Sequence, residues 1–206
     1  MNNFKFKIID FSNIKEAIKT QNEIFPNEDG TINLLASLDR NLFMNVTGIF
    51  YIDDNVKYYL AYLEDKIVGI TGIYSYKDKW PNDAWIGWYG IKEEHRGQGY
   101  GKTILEWTIT KAKEEGYKTI RLYTDIDDNK KAVKLYEKAG FTGEKYTKEK
   151  LDYNCYIYSK SLSEDKVELW DNKLLGLSYQ SELDHYNKDD ISAILNKYLE
   201  ILNDKK

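Results

Sequence analysis

Cysteine, histidine and proline are scarce in this sequence: its 206 residues contain 1 Cys, 2 His and 2 Pro. A single thiol, Cys155, excludes an internal disulfide framework and suits a reducing compartment. In the alternating run YNCYIY a buried structural thiol is its plain reading, with a nucleophile as the alternative. With only His95 and His185 to join that cysteine, a zinc centre or a Cys/His catalytic pair has little to build on, and no metal is expected. Long apolar runs are missing too. None approaches the ~20 residues of a membrane span, so no membrane partner is expected. The opening MNNFKFKIID alternates apolar and polar residues instead of presenting an apolar signal core, which suggests a cytoplasmic setting. An excess of positive charge is also lacking. The net charge is −4, and residues 163–206 carry all of it, with 10 acids against 6 bases. The remaining 24 acids and 24 bases balance, which argues against nucleic acid as a partner.

What is present is a soluble composition with 42% hydrophobic and 31% charged residues, enough for one well-packed domain. Aromatics reach 15%, with 18 Tyr and 5 Trp, which foreshadows a large core or stacked walls around a ligand.

The segment FKFKIIDF alternates like a strand, and SNIKEAIKTQNEIF places Ile14, Ala17, Ile18, Gln21 and Phe25 on one helical face before Pro26. TINLLASLDRNLFM reads as a second helix. VKYYLAYL and IVGITGIYSY form a hairpin about Glu64-Asp65-Lys66. AWIGWYGIK shows little alternation and reads as a strand buried on both faces. A helix over about 101–115 follows, with Gly116 just past its end, then the strand KTIRLYTDI. NKKAVKLYEKAGF is a short helix ending before Gly140, and TGEKYTKEKLDYNCYIYSKSL an antiparallel pair. The strand 84–92, helix, strand 119–126 unit must be a parallel crossover, so the class is α+β with a mixed sheet. After residue 162 periodicity weakens, until a helix over about 189–203 sets Ile191, Ile194, Leu195, Tyr198, Leu199 and Leu202 on one face. Residues 1–162 therefore read as one domain and 163–206 as an extension, whose helix packs on that domain, makes a dimer contact or covers a cleft.

The stretch IKEEHRGQGYGKT joins a strand to a helix through three glycines. A nucleotide-triphosphate loop of the G-x-x-x-x-G-K-[ST] type would need glycine at Arg96. A dinucleotide fingerprint, G-x-G-x-x-G, would need its third glycine one place after Gly101. Both patterns miss by one residue. A third, [RQ]-x-x-G-x-[GA], is satisfied by Arg96, Gly97, Gln98, Gly99, Tyr100 and Gly101. About 30 residues on stands N-x-x-A-x-x-L-Y-x-K-x-G-F, from Asn129, Ala132, Leu135, Tyr136, Lys138, Gly140 and Phe141. In these two blocks the sequence resembles the GCN5-related N-acetyltransferase (GNAT) family, over roughly residues 4–162. Independently of that resemblance, successive backbone N–H groups at a helix start, with no Cβ to block approach, make an anion cradle.

The resemblance implies the acyl-CoA N-acyltransferase fold, a mixed, largely antiparallel sheet with a central splayed parallel strand pair flanked by helices. It implies acetyl-CoA as acetyl donor, its pyrophosphate on residues Arg96, Gly97, Gln98, Gly99, Tyr100, Gly101 and Lys102. Backbone groups of Tyr89, Gly90 and Ile91 would meet the pantetheine arm, with Asn129 and Ala132 on its other side. Asn129 has an equal reading as the N-cap of its helix. Tyr136 matches the position whose phenol serves as general acid in many relatives; its other reading is an aromatic core residue.

The base is not set by the resemblance: a glutamate that some relatives carry midway along the first splayed strand corresponds to Trp85 here. Asp83, two residues earlier, is the substitute, Asp125 a second, and a water relay a third. Glu93 and Glu94 read as solvated loop charges. Trp80, Trp85, Trp88, Tyr89 and Tyr123 are core or, where they face the cleft, walls suited to a cationic amine. The implied function is direct attack of a primary amine, small-molecule or peptide, on acetyl-CoA in a ternary complex. The competing reading is a non-catalytic acyl-CoA-binding or regulatory module. A homodimer could form through the C-terminal helix or a sheet edge.

Overall fold

The computed structural model describes residues 3–28, 30–48, 54–76, 79–148, 151, 154–171, 173–175 and 188–204. In chain order the elements are β1 (Phe4–Ile8), α1 (Ile14–Ile24), α2 (Thr31–Ala36), α3 (Arg40–Thr47), β2 (Asp54–Leu63), β3 (Lys66–Tyr76) and β4 (Trp80–Ile91). Then come α4 (Tyr100–Glu114), β5 (Thr119–Asp125), α5 (Lys130–Lys138), β6 (Thr142–Lys145), β7 (Cys155–Ser161) and α6 (Lys188–Asp204). The seven strands form one sheet in the order β1-β2-β3-β4-β5-β7-β6. Only β4 and β5 run parallel; the other neighbours are antiparallel.

Local chemistry accounts for the turns. The β2–β3 hairpin closes Leu63 on Lys66, with Glu64 and Asp65 at φ 49° and 65°. Two left-handed residues match the twist of the flanking strands. The stretch expected as one helix over TINLLASLDRNLFM is two. Asp39 stands in extended backbone, φ −158°, and its carboxylate accepts a hydrogen bond from the Leu42 amide at 2.9 Å. That N-cap starts α3 afresh and ends the continuity with α2.

Helices cover both faces. Under α1, α2 and α3 lie Tyr58, Leu60, Tyr74 and Trp85; under α4 and α5 lie Ile73, Ala84, Ile120 and Leu122. Cys155 is buried in β7 on the first of these faces.

The segment after residue 162 shares the first core. Trp170, Leu175 and Tyr198 are all buried in it. Of the expected helical stripe, Tyr198, Leu199 and Leu202 pack inward, while the side chains of Ile191, Ile194 and Leu195 lie outside the described residues. Tyr198 meets the Phe43 ring edge-on at 5.3 Å and donates a hydrogen bond to the Leu35 carbonyl at 3.0 Å. Replacing Tyr198 with Ala should cost about 3–5 kcal/mol of unfolding free energy, the range for a buried aromatic truncated to Ala. Tyr198→Phe removes a hydroxyl shared between the Leu35 and Asp39 carbonyls and should cost about 1 kcal/mol. Urea denaturation of the three proteins checks the ratio.

Candidate active site

The parallel ladder between β4 and β5 is short. It pairs Asp83 with Thr119, Ala84 with Ile120 and Trp85 with Arg121, and ends there. Both strands continue, β4 to Ile91 and β5 to Asp125, so their C-terminal halves splay into a V. Two features of β4 open it. Its register against β3 shifts between Gly72–Gly87 and Ile70–Gly90, and Trp88 inside this shift has φ 43°. An extra residue in left-handed backbone is a β-bulge, which bends its strand away from a neighbour. A tryptophan in that region is strained, and contacts hold it. Its indole N–H donates to the Asn33 side-chain oxygen at 3.0 Å and the Phe25 ring meets it edge-on at 5.2 Å. The strand expected to be buried on both faces is therefore sealed only over Asp83–Ile86; residues 87–91 are half-buried, because the V leaves them uncovered.

Beyond β4 a 3-10 turn, Glu93–His95, carries both acids into solvent. Arg96 follows and folds back, its Nε donating to the Ile91 carbonyl at 3.0 Å. Gln98 reaches the Glu94 carbonyl at 3.4 Å. Gly97 and Gly99 have φ 79° and 82°, and no atom lies within 4 Å of where a Cβ on either would stand. Helix α4 begins at Tyr100, so the amides of Tyr100 and Gly101 open onto this bare backbone, while the Lys102 amide donates to the Gly99 carbonyl at 3.1 Å. Lys102 points outward and pairs with Glu106 at 3.7 Å. A cradle of amides, helix dipole and absent side chains fits a pyrophosphate.

Two tyrosines sit between the cradle and α5. Tyr89, on β4, donates its hydroxyl to the Gly101 carbonyl at 2.7 Å, tying the strand to the first turn of α4. A Cβ on Gly101 would approach that hydroxyl to 3.1 Å. Tyr136, on α5, is 6% exposed and packs against the rings of Tyr89, Phe141 and Tyr158 at 6.1, 6.1 and 5.9 Å. Its hydroxyl hydrogen-bonds to no described residue. Burial pushes both phenols above their ordinary value, Tyr89 further, with Tyr136 adding to its shift. Ala132 lies half-buried one turn before Tyr136. Asn129 occupies the N-cap position of α5, but its side chain makes no capping bond and is exposed.

The candidate bases separate. Asp83 stands at the closed end of the V, buried and gripped by Arg121, with Nε to Oδ2 at 2.9 Å and Nη2 to Oδ1 at 3.4 Å. It is not brought to the cradle or to Tyr136; the spacing along β4 put it on the right strand at the wrong end. Asp125 closes the turn after β5 by accepting the Asp127 amide at 2.8 Å. Among the aromatics, Trp85 is fully buried and Trp80 packs on Trp170, so both are core. Tyr89 belongs to the α4 face, while Trp88 and Tyr123 are half-buried on the α1 face. Among the described residues no group of three or more His, Cys, Asp and Glu is placed to hold a metal.

Sequence reasoning missed the bulge at Trp88 and the grip of Arg121. The bulge had a signal in Gly87 and Gly90, isolated strand glycines that flank it. The arginine had a signal: a charged residue at an inward position of KTIRLYTDI demands a buried partner.

Known proteins share this architecture. The ribosomal-protein-S18-alanine N-acetyltransferase of Escherichia coli superposes with a TM-score of 0.58 at 14% identity, over 82% of this chain and 99% of that one. A putative acetyltransferase from Salmonella typhimurium, solved with its cofactor acetyl-CoA, gives 0.59 at 14% identity, over 80% and 96%. A probable N-acetyltransferase, camello, from Xenopus laevis is 27% identical over 103 residues, which is 50% of this chain and 46% of that protein. The chain thus spans about half the length of the curated relative it matches. The family model described as Acetyltransferase (GNAT) family matches residues 16–141, from α1 through the V, the cradle and α5. That match covers more than half of the sequence, and the chain belongs to the GNAT acetyltransferase family.

Proposed function

We propose that this protein transfers the acetyl group of acetyl-CoA to a primary amine by direct attack in a ternary complex. The observation that carries the reading is the meeting of three features on one face. These are the splayed β4–β5 pair, the amide cradle at Gly97–Gly101, and a phenol, Tyr136, whose hydroxyl has no described partner.

Acetyl-CoA supplies an activated thioester. Amides of residues 97–101 with Arg96 hold the pyrophosphate, assisted by Gln98, Tyr100 and the Lys102 charge. Backbone groups of Tyr89, Gly90 and Ile91 pair with the pantetheine arm as an added strand would. Asn129 and Ala132 flank the arm from α5; the exposed, non-capping amide of Asn129 favours contact over capping. Free N–H groups of β4 beyond Trp85 polarise the thioester carbonyl. Tyr136 donates its Oη proton to the departing sulfur. Tyr89 is unsuited to that task, since its hydroxyl is engaged by Gly101.

Direct attack is favoured over an acetylated enzyme because the only cysteine, Cys155, is 1% exposed in β7. The acceptor enters from the α1 face, where Trp88 and Tyr123 offer ring faces to a cation. With Asp83 held by Arg121, the amine proton leaves by a water path.

The pH profile carries a sign. A phenol pushed above 10.0 by burial stays protonated, and so able to donate, through pH 10. The amine must be neutral to attack. Activity should therefore rise with pH as the amine deprotonates, with no alkaline fall beginning below about pH 9. A fall there would place the acid elsewhere.

Thiol release from acetyl-CoA across a panel of polyamines, amino acids and peptides tests the whole proposal. Amine-dependent release with an acetylated product supports it. Tight binding of CoA without release from any amine would favour the binding-module reading.

A further inference from the structure

The segment 163–175 has no part in the chemistry above, yet it ends in a fully buried tryptophan. Trp170 meets Trp80 edge-on at 4.4 Å and Trp85 at 5.0 Å. Its backbone amide donates to Glu144 on β6 at 3.0 Å, which pins the strap to the sheet, and its indole N–H donates to the Lys173 carbonyl at 2.7 Å, which closes the strap's own turn.

Beneath the indole, at 5.3 Å from its ring centre, lies the guanidinium of Arg121, 1% exposed. All three nitrogens of this guanidinium are engaged. Nε and Nη2 grip the Asp83 carboxylate on β4. Nη1 donates to Ser159 on β7 at 2.6 Å and to the strap carbonyl of Glu168 at 2.8 Å. One side chain thus ties β4, β5, β7 and the strap together. Asp83 and Arg121 also stand at the first and last rungs of the three-residue parallel ladder, the hinge from which the V opens.

A buried ion pair is weak evidence for stability, because its desolvation offsets its attraction. A planar fork meeting a carboxylate is directional, and direction is what a hinge needs. We infer that Arg121 is a positioning residue: held by the strap through Trp170 and Glu168, it fixes the crossing of β4 and β5 and thereby the width of the V at the thioester. This rests on the reading that the V holds coenzyme A. It gives the strap a part in the site through Arg121.

The test replaces the pair by apolar residues of similar size, Asp83→Leu with Arg121→Met. Such exchanges of buried pairs are commonly tolerated by the fold. Calorimetric titration with CoA should give a Kd raised about tenfold over wild type while the thermal midpoint stays close. Arg121→Lys, which keeps the charge but not the fork, should fall between the two. A CoA Kd within twofold of wild type in the folded double variant would overturn the inference. Should the double variant not fold, Trp170→Phe keeps both charges and removes the indole from the guanidinium. A several-fold weaker Kd then supports the inference, and an unchanged one overturns it. Wild-type protein that binds no CoA would instead overturn the cofactor reading, a result distinct from wild type binding and the variant binding equally.

Discussion

Tyr136→Phe is expected to lower kcat by about 100-fold while leaving the Kd for CoA within twofold. Proton donation by a placed side chain is worth roughly 10²–10⁴ in rate. The ring is what packs: it touches Tyr89, Phe141 and Tyr158, and phenylalanine keeps those contacts. The hydroxyl bonds to no described residue, so removing it leaves no described partner unsatisfied and the fold should be unaffected. Loss of rate without loss of binding or stability separates an acid from a core residue. The matching change at Tyr89 should behave oppositely, because its hydroxyl supports the Gly101 carbonyl in the cradle. Tyr89→Phe should weaken CoA binding more than it slows a saturated enzyme. If Tyr136→Phe retains full kcat, the proton comes from water or another group, and the role assigned here is wrong.

Gly99→Asp is expected to weaken CoA binding by about 100-fold, and Gly99→Asn by only several-fold. Both side chains tolerate left-handed backbone better than other residues, so the strain at φ 82° is similar for the pair. Both would fill the same open space above the cradle. They differ in charge. A carboxylate beside a bound pyrophosphate opposes the helix dipole and the free amides of α4. Like charges a few ångströms apart at a protein surface cost about 2–4 kcal/mol. The gap between the two variants should narrow in high salt, since this repulsion is screened. Equal effects of Asp and Asn would mean the loop is shaped for something other than an anion.

The residues that announce the site do so because backbone geometry demands them. Gly97 and Gly99 adopt positive φ, and Arg96 folds onto the end of β4, so a glycine-rich turn into α4 was legible from spacing, while its reading as a coenzyme A cradle came from the resemblance. Tyr136 was singled out by the resemblance, and α5 buries it. Where tertiary contacts override local pattern, legibility failed. In WIGWYGI the glycines Gly87 and Gly90 hint at a bulge, but nothing local puts the left-handed residue at Trp88, whose backbone is held by Asn33 and Phe25 from another part of the chain. Asp83 looked available as a base because its partner, Arg121, lies 38 residues away. Residues 163–175 looked aperiodic because they pack as a strap, buried through Trp170 and Leu175, and straps have no period to read.

The most direct measurement is the crystal structure of the protein with coenzyme A. The pyrophosphate should lie on the amides of Gly97–Gly101, the pantetheine arm between β4 and β5, and the sulfur about 3 Å from Tyr136 Oη. Coenzyme A bound elsewhere, or a sulfur out of reach of that hydroxyl, would contradict the proposed function.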